Sequence, residues 1–103
     1  MNKAAMLQEI LAQNPLDSFA RYGLAMEYSG SGKTEQALAE FDQLAKDHPD
    51  YVPGHFMAAQ ALAGVGRTDD AKKRLEIGIA AAVRTGNAHA QREMQDLLDD
   101  LTG

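Results

Sequence analysis

The stretch Gly30-Ser31-Gly32-Lys33-Thr34 has the residue types that close a phosphate-binding loop. In such a loop backbone N–H groups and a lysine cradle phosphate oxygens, and a threonine hydroxyl meets magnesium. The full pattern also needs a glycine at the place where this chain has Glu27, so a carboxylate would face the phosphates. The segment before it has the pattern of an amphipathic helix, whereas a phosphate loop must follow a buried strand. The stretch therefore reads as a turn between helices, where glycine is permissive. Three histidines, His48, His55 and His89, are the other candidates for chemistry. Helical metal pairs want i, i+4 neighbours, and Pro49 and Pro53 stand between His48 and His55. His48 reads as a turn residue and His55 as a half-buried packing residue. No Ser, His and acid spacing frames a triad, and the absence of cysteine removes thiol chemistry, Cys-based zinc sites and disulfides. The expectation is a chain that is not an enzyme and carries no cofactor and no metal.

Charge narrows the partners. Arg67, Lys72, Lys73 and Arg74 form the one basic cluster, on a segment expected to keep a solvated face. A polynucleotide footprint would want more cations with aromatic rings between them. Fifteen acids against ten bases leave a net charge of −5, which opposes phosphate-backbone binding. The start, MNKAAMLQEILAQNP, interrupts its apolar residues with Gln and Glu, so neither a signal-peptide core nor a membrane span fits. No nucleic acid, no membrane and a cytoplasmic location are expected.

The elements that position these residues are helices. Eighteen residues are Ala, while Val, Ile and Thr together number ten, and 103 residues suffice for one domain with one modest core. Breaks at Asn14-Pro15-Leu16-Asp17, Ser29-Gly30-Ser31-Gly32, His48-Pro49-Asp50, Gly64-Val65-Gly66 and Thr85-Gly86-Asn87 leave six segments of helical length. The second segment, with Phe19, Tyr22, Leu24, Ala25, Met26 and Tyr28, is apolar on more than one face. The third sets Ala37, Leu38, Phe41, Leu44 and Ala45 on one side and keeps a wet face. Asp17, Thr34, Thr68 and Asn87 suit helix N-caps.

The chain repeats itself at one fixed spacing: Pro15 falls on Pro49, Gly32 on Gly66, Ala25 on Ala59, Tyr28 on Leu62, Ala37 on Ala71 and Phe41 on Leu75. Small residues at four of these places let paired helices approach, and the larger ones fill the gaps between pairs. The first copy reads Arg21-x2-Leu24-Ala25-x2-Tyr28, then Ala37-x3-Phe41, then Pro49; the second reads His55-x2-Ala58-Ala59-x2-Leu62, then Ala71-x3-Leu75, with Val83 in the proline's place. The chain thereby resembles the tetratricopeptide repeat family, whose unit is a helix-turn-helix with the same period as the step from Pro15 to Pro49. The family's tryptophan is replaced by Arg21 and His55.

The resemblance implies an all-α superhelix of stacked antiparallel pairs with about six helices. It comprises a half repeat at 1–14, repeats at 18–51 and 52–85, and a capping helix at 86–103. It also implies a concave groove lined by the first helix of each pair. Carried over by register, the residues facing it are Phe19, Tyr22, Met26 and Ser29 in the first copy and Pro53, Phe56, Gln60 and Ala63 in the second. His89, Arg92 and Asp96 join them if the last helix is read with a two-residue insertion. Tyr22 and Phe56 read equally as ligand anchors and as packing between neighbouring helices. One variant of the family grips a terminal carboxylate with Lys and Asn; Tyr22, Met26, Phe56 and Gln60 stand near those places here, which argues against that mode. The leading expectation is a module that receives a helix or peptide of a partner protein in its groove. The alternative is a self-assembling protein, a weak homodimer through its terminal half repeats, favoured if Met6, Leu7, Ile10 or Leu11 is exposed.

Overall fold

Ala-rich segments punctuated by Gly and Pro fold as six helices in the computed structural model, which describes residues 2–103. They are α1 (Lys3–Gln13), α2 (Ser18–Gly30), α3 (Thr34–Asp47), α4 (Val52–Gly64), α5 (Thr68–Arg84) and α6 (Ala88–Thr102), with no strand among the described residues. The fold is all-α helical repeat, and α4 begins and ends one full period after α2.

Two kinds of stop signal end these helices. After α2, α4 and α5 the chain turns through Gly32, Gly66 and Gly86 at φ of 76°, 81° and 69°. The following N–H groups reach back across the turn, Lys33 to the Tyr28 carbonyl (2.9 Å), Arg67 to Leu62 (2.9 Å) and Asn87 to Ala82 (2.8 Å). These are Schellman closures, which use glycine for its left-handed conformation and satisfy carbonyls that the helix end leaves open. After α1 and α3 the chain instead goes extended at Asn14 and His48, φ −141° and −138°, because a proline follows each and disfavours the helical region. α5 lacks that proline, having Val83 in its place, and runs on to Arg84.

Asp17 and Asn87 cap as expected, accepting from the N–H of Ala20 (2.9 Å) and Ala90 (3.1 Å). Thr34 and Thr68 do not. Each is the first residue inside its helix, and Lys33 and Arg67 hold the cap position without a side-chain bond. The helix starts one residue earlier than a threonine cap requires, because Lys33 and Arg67, whose N–H groups close the preceding turn, already stand at the cap position.

The described residues form two compact units, divided between His48 and Pro49. In the first, α2 packs on α1 and α3; in the second, α5 packs on α4 and α6, and α4 touches α6. The small repeat positions do what close approach requires: Ala25, Ala37, Ala59 and Ala71 are fully buried, and Tyr28, Phe41, Leu62 and Leu75 are buried beside them. The second unit carries a further small position. A Cβ on Gly78 of α5 would lie 2.6 Å from the Met94 sulfur of α6 and 2.8 Å from the His55 Cβ of α4.

Candidate functional site

The first-helix residues singled out by register fall into two groups. In the first unit Phe19, at the second position of α2, has 76% of its surface exposed, so the apolar residues on more than one face of this segment are not all covered. Tyr22, Met26 and Ser29 follow it along α2 and are half-buried. Tyr22 meets Phe41 of α3 edge-on, ring centroids 6.5 Å apart at 62°, a favourable aromatic geometry that holds its ring in place. Two ion pairs flank α2: Arg21 with Glu40 at 2.5 Å and Lys3 with Glu27 at 4.0 Å.

In the second unit Phe56 is half-buried against a cluster of Val52, Ala59, Leu75, Ala81, Ala82 and Met94, while Gln60 is exposed and Ala63 half-buried. Pro53 is exposed at the start of α4. On α6 Met94 is fully buried, and His89, Arg92 and Asp96 lie exposed on the other side. The His89 Nε2 is 3.2 Å from a Glu93 carboxylate oxygen one turn on. Placement thus separates the residues into exposed ones (Phe19, Gln60, His89, Arg92) and ones whose rings or chains also serve the interior (Tyr22, Met26, Phe56).

Histidines have more definite roles than expected. His55 is 2% exposed, not half-buried, and its Nε2–H donates to the Pro49 carbonyl at 2.7 Å. Burial pushes its pKa below the ordinary imidazole value, with Arg74 and Arg84 acting in the same direction and the Pro49 bond and Asp50 opposing. His48 closes α3, its Nε2 2.7 Å from the Leu16 carbonyl. Burial pushes the neighbouring Tyr51 phenol upward. Arg21 and His55 stand at the same interval after Pro15 and Pro49, and the structure shows Arg21 donating to the Pro15 carbonyl at 3.1 Å in the same way.

Gly30 to Thr34 carry no anion nest. The N–H groups of Gly32 and Lys33 are committed to the carbonyls of Ser29 and Tyr28, as the closure of α2 demands. Among the described residues no group of three or more His, Asp or Glu side chains could hold a metal ion. No helix among them is long and apolar enough to cross a membrane.

The sequence model of the tetratricopeptide repeat family matches residues 28–95, and this chain belongs to that family. It is 27% identical over 95 residues to a TPR repeat-containing protein of Pseudomonas aeruginosa, covering 92% of this chain and 90% of that one. A tetratricopeptide repeat domain protein of Salinibacter ruber, solved by NMR in solution, is similar at 33% identity and a TM-score of 0.80, over 85% of this chain and 89% of its own. The fold alone is shared with PcrH of Pseudomonas aeruginosa, solved in complex with the chaperone binding region of PopD. There the TM-score is 0.89 at 20% identity, over 96% of this chain and 75% of that one.

Proposed function

We propose that this chain is a non-catalytic binding module, acting in the cytoplasm, that receives a helix or short peptide of a partner protein on its first-helix faces. The contact residues are Phe19, Tyr22, Met26 and Ser29 on α2, Phe56, Gln60 and Ala63 on α4, and His89 and Arg92 on α6. The observation that carries this reading is Phe19. A phenylalanine left 76% exposed, on a stripe with Tyr22 and Met26, is apolar surface that the fold itself does not use. Tyr, Phe and Met on a helix face are the residue types that grip an amphipathic ligand, large in contact area and, for Met, adaptable in shape. PcrH, which shares the fold, is seen holding a region of another protein.

The test is capture of a partner from the source cell, followed by mapping of its binding segment by amide chemical-shift changes. Changes concentrated on the α2, α4 and α6 faces support the reading. Changes confined to the outer faces of α3 and α5 overturn it.

A second reading has one observation in its favour. Met6 and Ile10 of α1 are 51% and 43% exposed, and with Glu9 and Gln13 they line a shallow groove. Leu7 and Leu11, by contrast, are buried against the first unit's core, so only half of the residues named for self-association are free for it. Two side chains of this size fall well short of the interface a stable dimer requires, roughly 1,200 Å² or more in total, so the reading is of weak self-association. Sedimentation of the wild type and Ile10→Glu across concentrations separates a weak dimer from a monomer.

A further inference from the structure

Each unit holds the loop ahead of its first helix with a side chain from one repeat position. Arg21 donates to the Pro15 carbonyl, and one period on His55 donates to the Pro49 carbonyl. A second repeat position faces each of these donors. In the first unit it is Glu40, whose carboxylate takes the Arg21 guanidinium at 2.5 Å. In the second unit the residue one period after Glu40 is Arg74, half-buried on α5. The same two positions therefore set a cation against a carboxylate in one unit and an imidazole beside a guanidinium in the other.

The second arrangement is tight. His55 is 2% exposed, and the missing Cβ of Gly78 is what admits its own Cβ against α5. Its Nε2–H is fixed by the bond to Pro49, so Nδ1 is the bare nitrogen; it is buried and has no hydrogen-bond partner. A second proton must go on Nδ1, where it meets no acceptor. The charge it brings is opposed by Arg74 and Arg84 of α5 and favoured by Asp50 of the loop, which is itself paired with Arg84 at 2.6 Å. α6 brings the Met94 thioether against Gly78, and α4 has no other titratable side chain. Tyr51, just ahead of α4, stays a neutral phenol at acid pH.

We propose that His55 is an acid-sensitive latch: protonation of its imidazole loosens α4 from α5 in the second unit, while the first unit, held at the same repeat positions by Arg21 and Glu40, keeps its packing. The latch works whatever partner the chain receives. Its sign follows from which form the fold holds. The folded unit keeps His55 neutral, whereas the unfolded imidazole titrates at its ordinary value of 6.5. The contribution is complete above that value and is lost as pH falls below it, toward the lower folded value.

Amide hydrogen exchange read residue by residue at pH 7.5 and 5.5, as protection factors, tests this in a His48→Gln, His89→Gln chain, where His55 is the one imidazole. Protection in α4 and α5 is expected to fall about tenfold, the limit set by one pH unit below the ordinary imidazole value, while α2 and α3 change less than about twofold. His55→Gln, which keeps a donor for Pro49, removes the difference between units. Arg74→Glu, which restores the charge pattern of the first unit, makes it shrink or reverse. If His55→Gln does not fold, the Arg74→Glu chain decides: an undiminished difference overturns the latch, and a reduced one supports it. Titration of the His55 ring resonances at the ordinary value with the second unit's protection intact also overturns it.

Discussion

Phe19 and Phe56 look alike in the sequence and have opposite relations to the interior. Phe19 projects from the start of α2 with most of its ring exposed, whereas Phe56 leans on the cluster around Leu75 and Met94. Phe19→Ala should therefore change unfolding free energy by no more than about 0.5 kcal/mol, as surface substitutions do. Phe56→Ala should cost about 2 kcal/mol or more, since it removes a half-buried ring and leaves a cavity. Urea unfolding of both variants checks this, and equal costs would mean that Phe19 is covered in solution. Sequence reading named both residues but could not rank them, because register along a helix fixes a face without saying how far that face is covered. His55 shows the converse. Its half-buried expectation came from standing where a large aromatic belongs, and the bond to Pro49 became legible only once α4 and its loop were in place.

At the scale of the helix, close approach and stop signals decide. Gly78→Ala improves intrinsic helix propensity by up to about 1 kcal/mol, yet the new methyl would press on the His55 Cβ, which cannot swing away. Overpacking of this kind costs about 1–3 kcal/mol, so net destabilisation is expected, and thermal unfolding measures it. Ala37→Leu and Ala71→Leu should each destabilise by about 1–3 kcal/mol for the same reason. The glycines at positive φ make a different prediction: Gly32→Ala and Gly66→Ala have open space around them but meet backbone strain, about 1 kcal/mol each. Adding ATP with magnesium should leave both the melting temperature and the amide resonances of Gly30 to Thr34 unchanged, because the N–H groups a phosphate would need already close α2. The stops were legible in the sequence to within a residue or two. The threonine caps were not, since a Schellman closure and a simple turn share the same glycine signal and differ in where the next helix begins.

For the whole molecule, the period that sets Pro15 on Pro49 carried the fold, because one packing rule repeated twice leaves few alternatives for Ala25, Ala37, Ala59 and Ala71. It carried the binding face less far, since a groove residue and a packing residue obey the same spacing. Paired measurements separate the two: partner affinity and unfolding free energy for Phe19→Ala, Tyr22→Ala, Met26→Ala and Phe56→Ala. Phe19→Ala is expected to lose about 2 kcal/mol of binding with stability intact, while Tyr22→Ala, held by Phe41, should lose both. Loss of stability without separable loss of binding in all four would remove the first-helix face as the docking surface. The way α2 sits on its chain neighbours α1 and α3, and α5 on α4 and α6, reaches beyond equilibrium into kinetics. Contacts of such short sequence separation need little loop closure before they are rewarded, so each unit should condense within microseconds to milliseconds of dilution from denaturant. A chain that reaches its native contacts this quickly leaves its apolar helix faces exposed to neighbouring unfolded chains only briefly, and refolding at high concentration should proceed without aggregation.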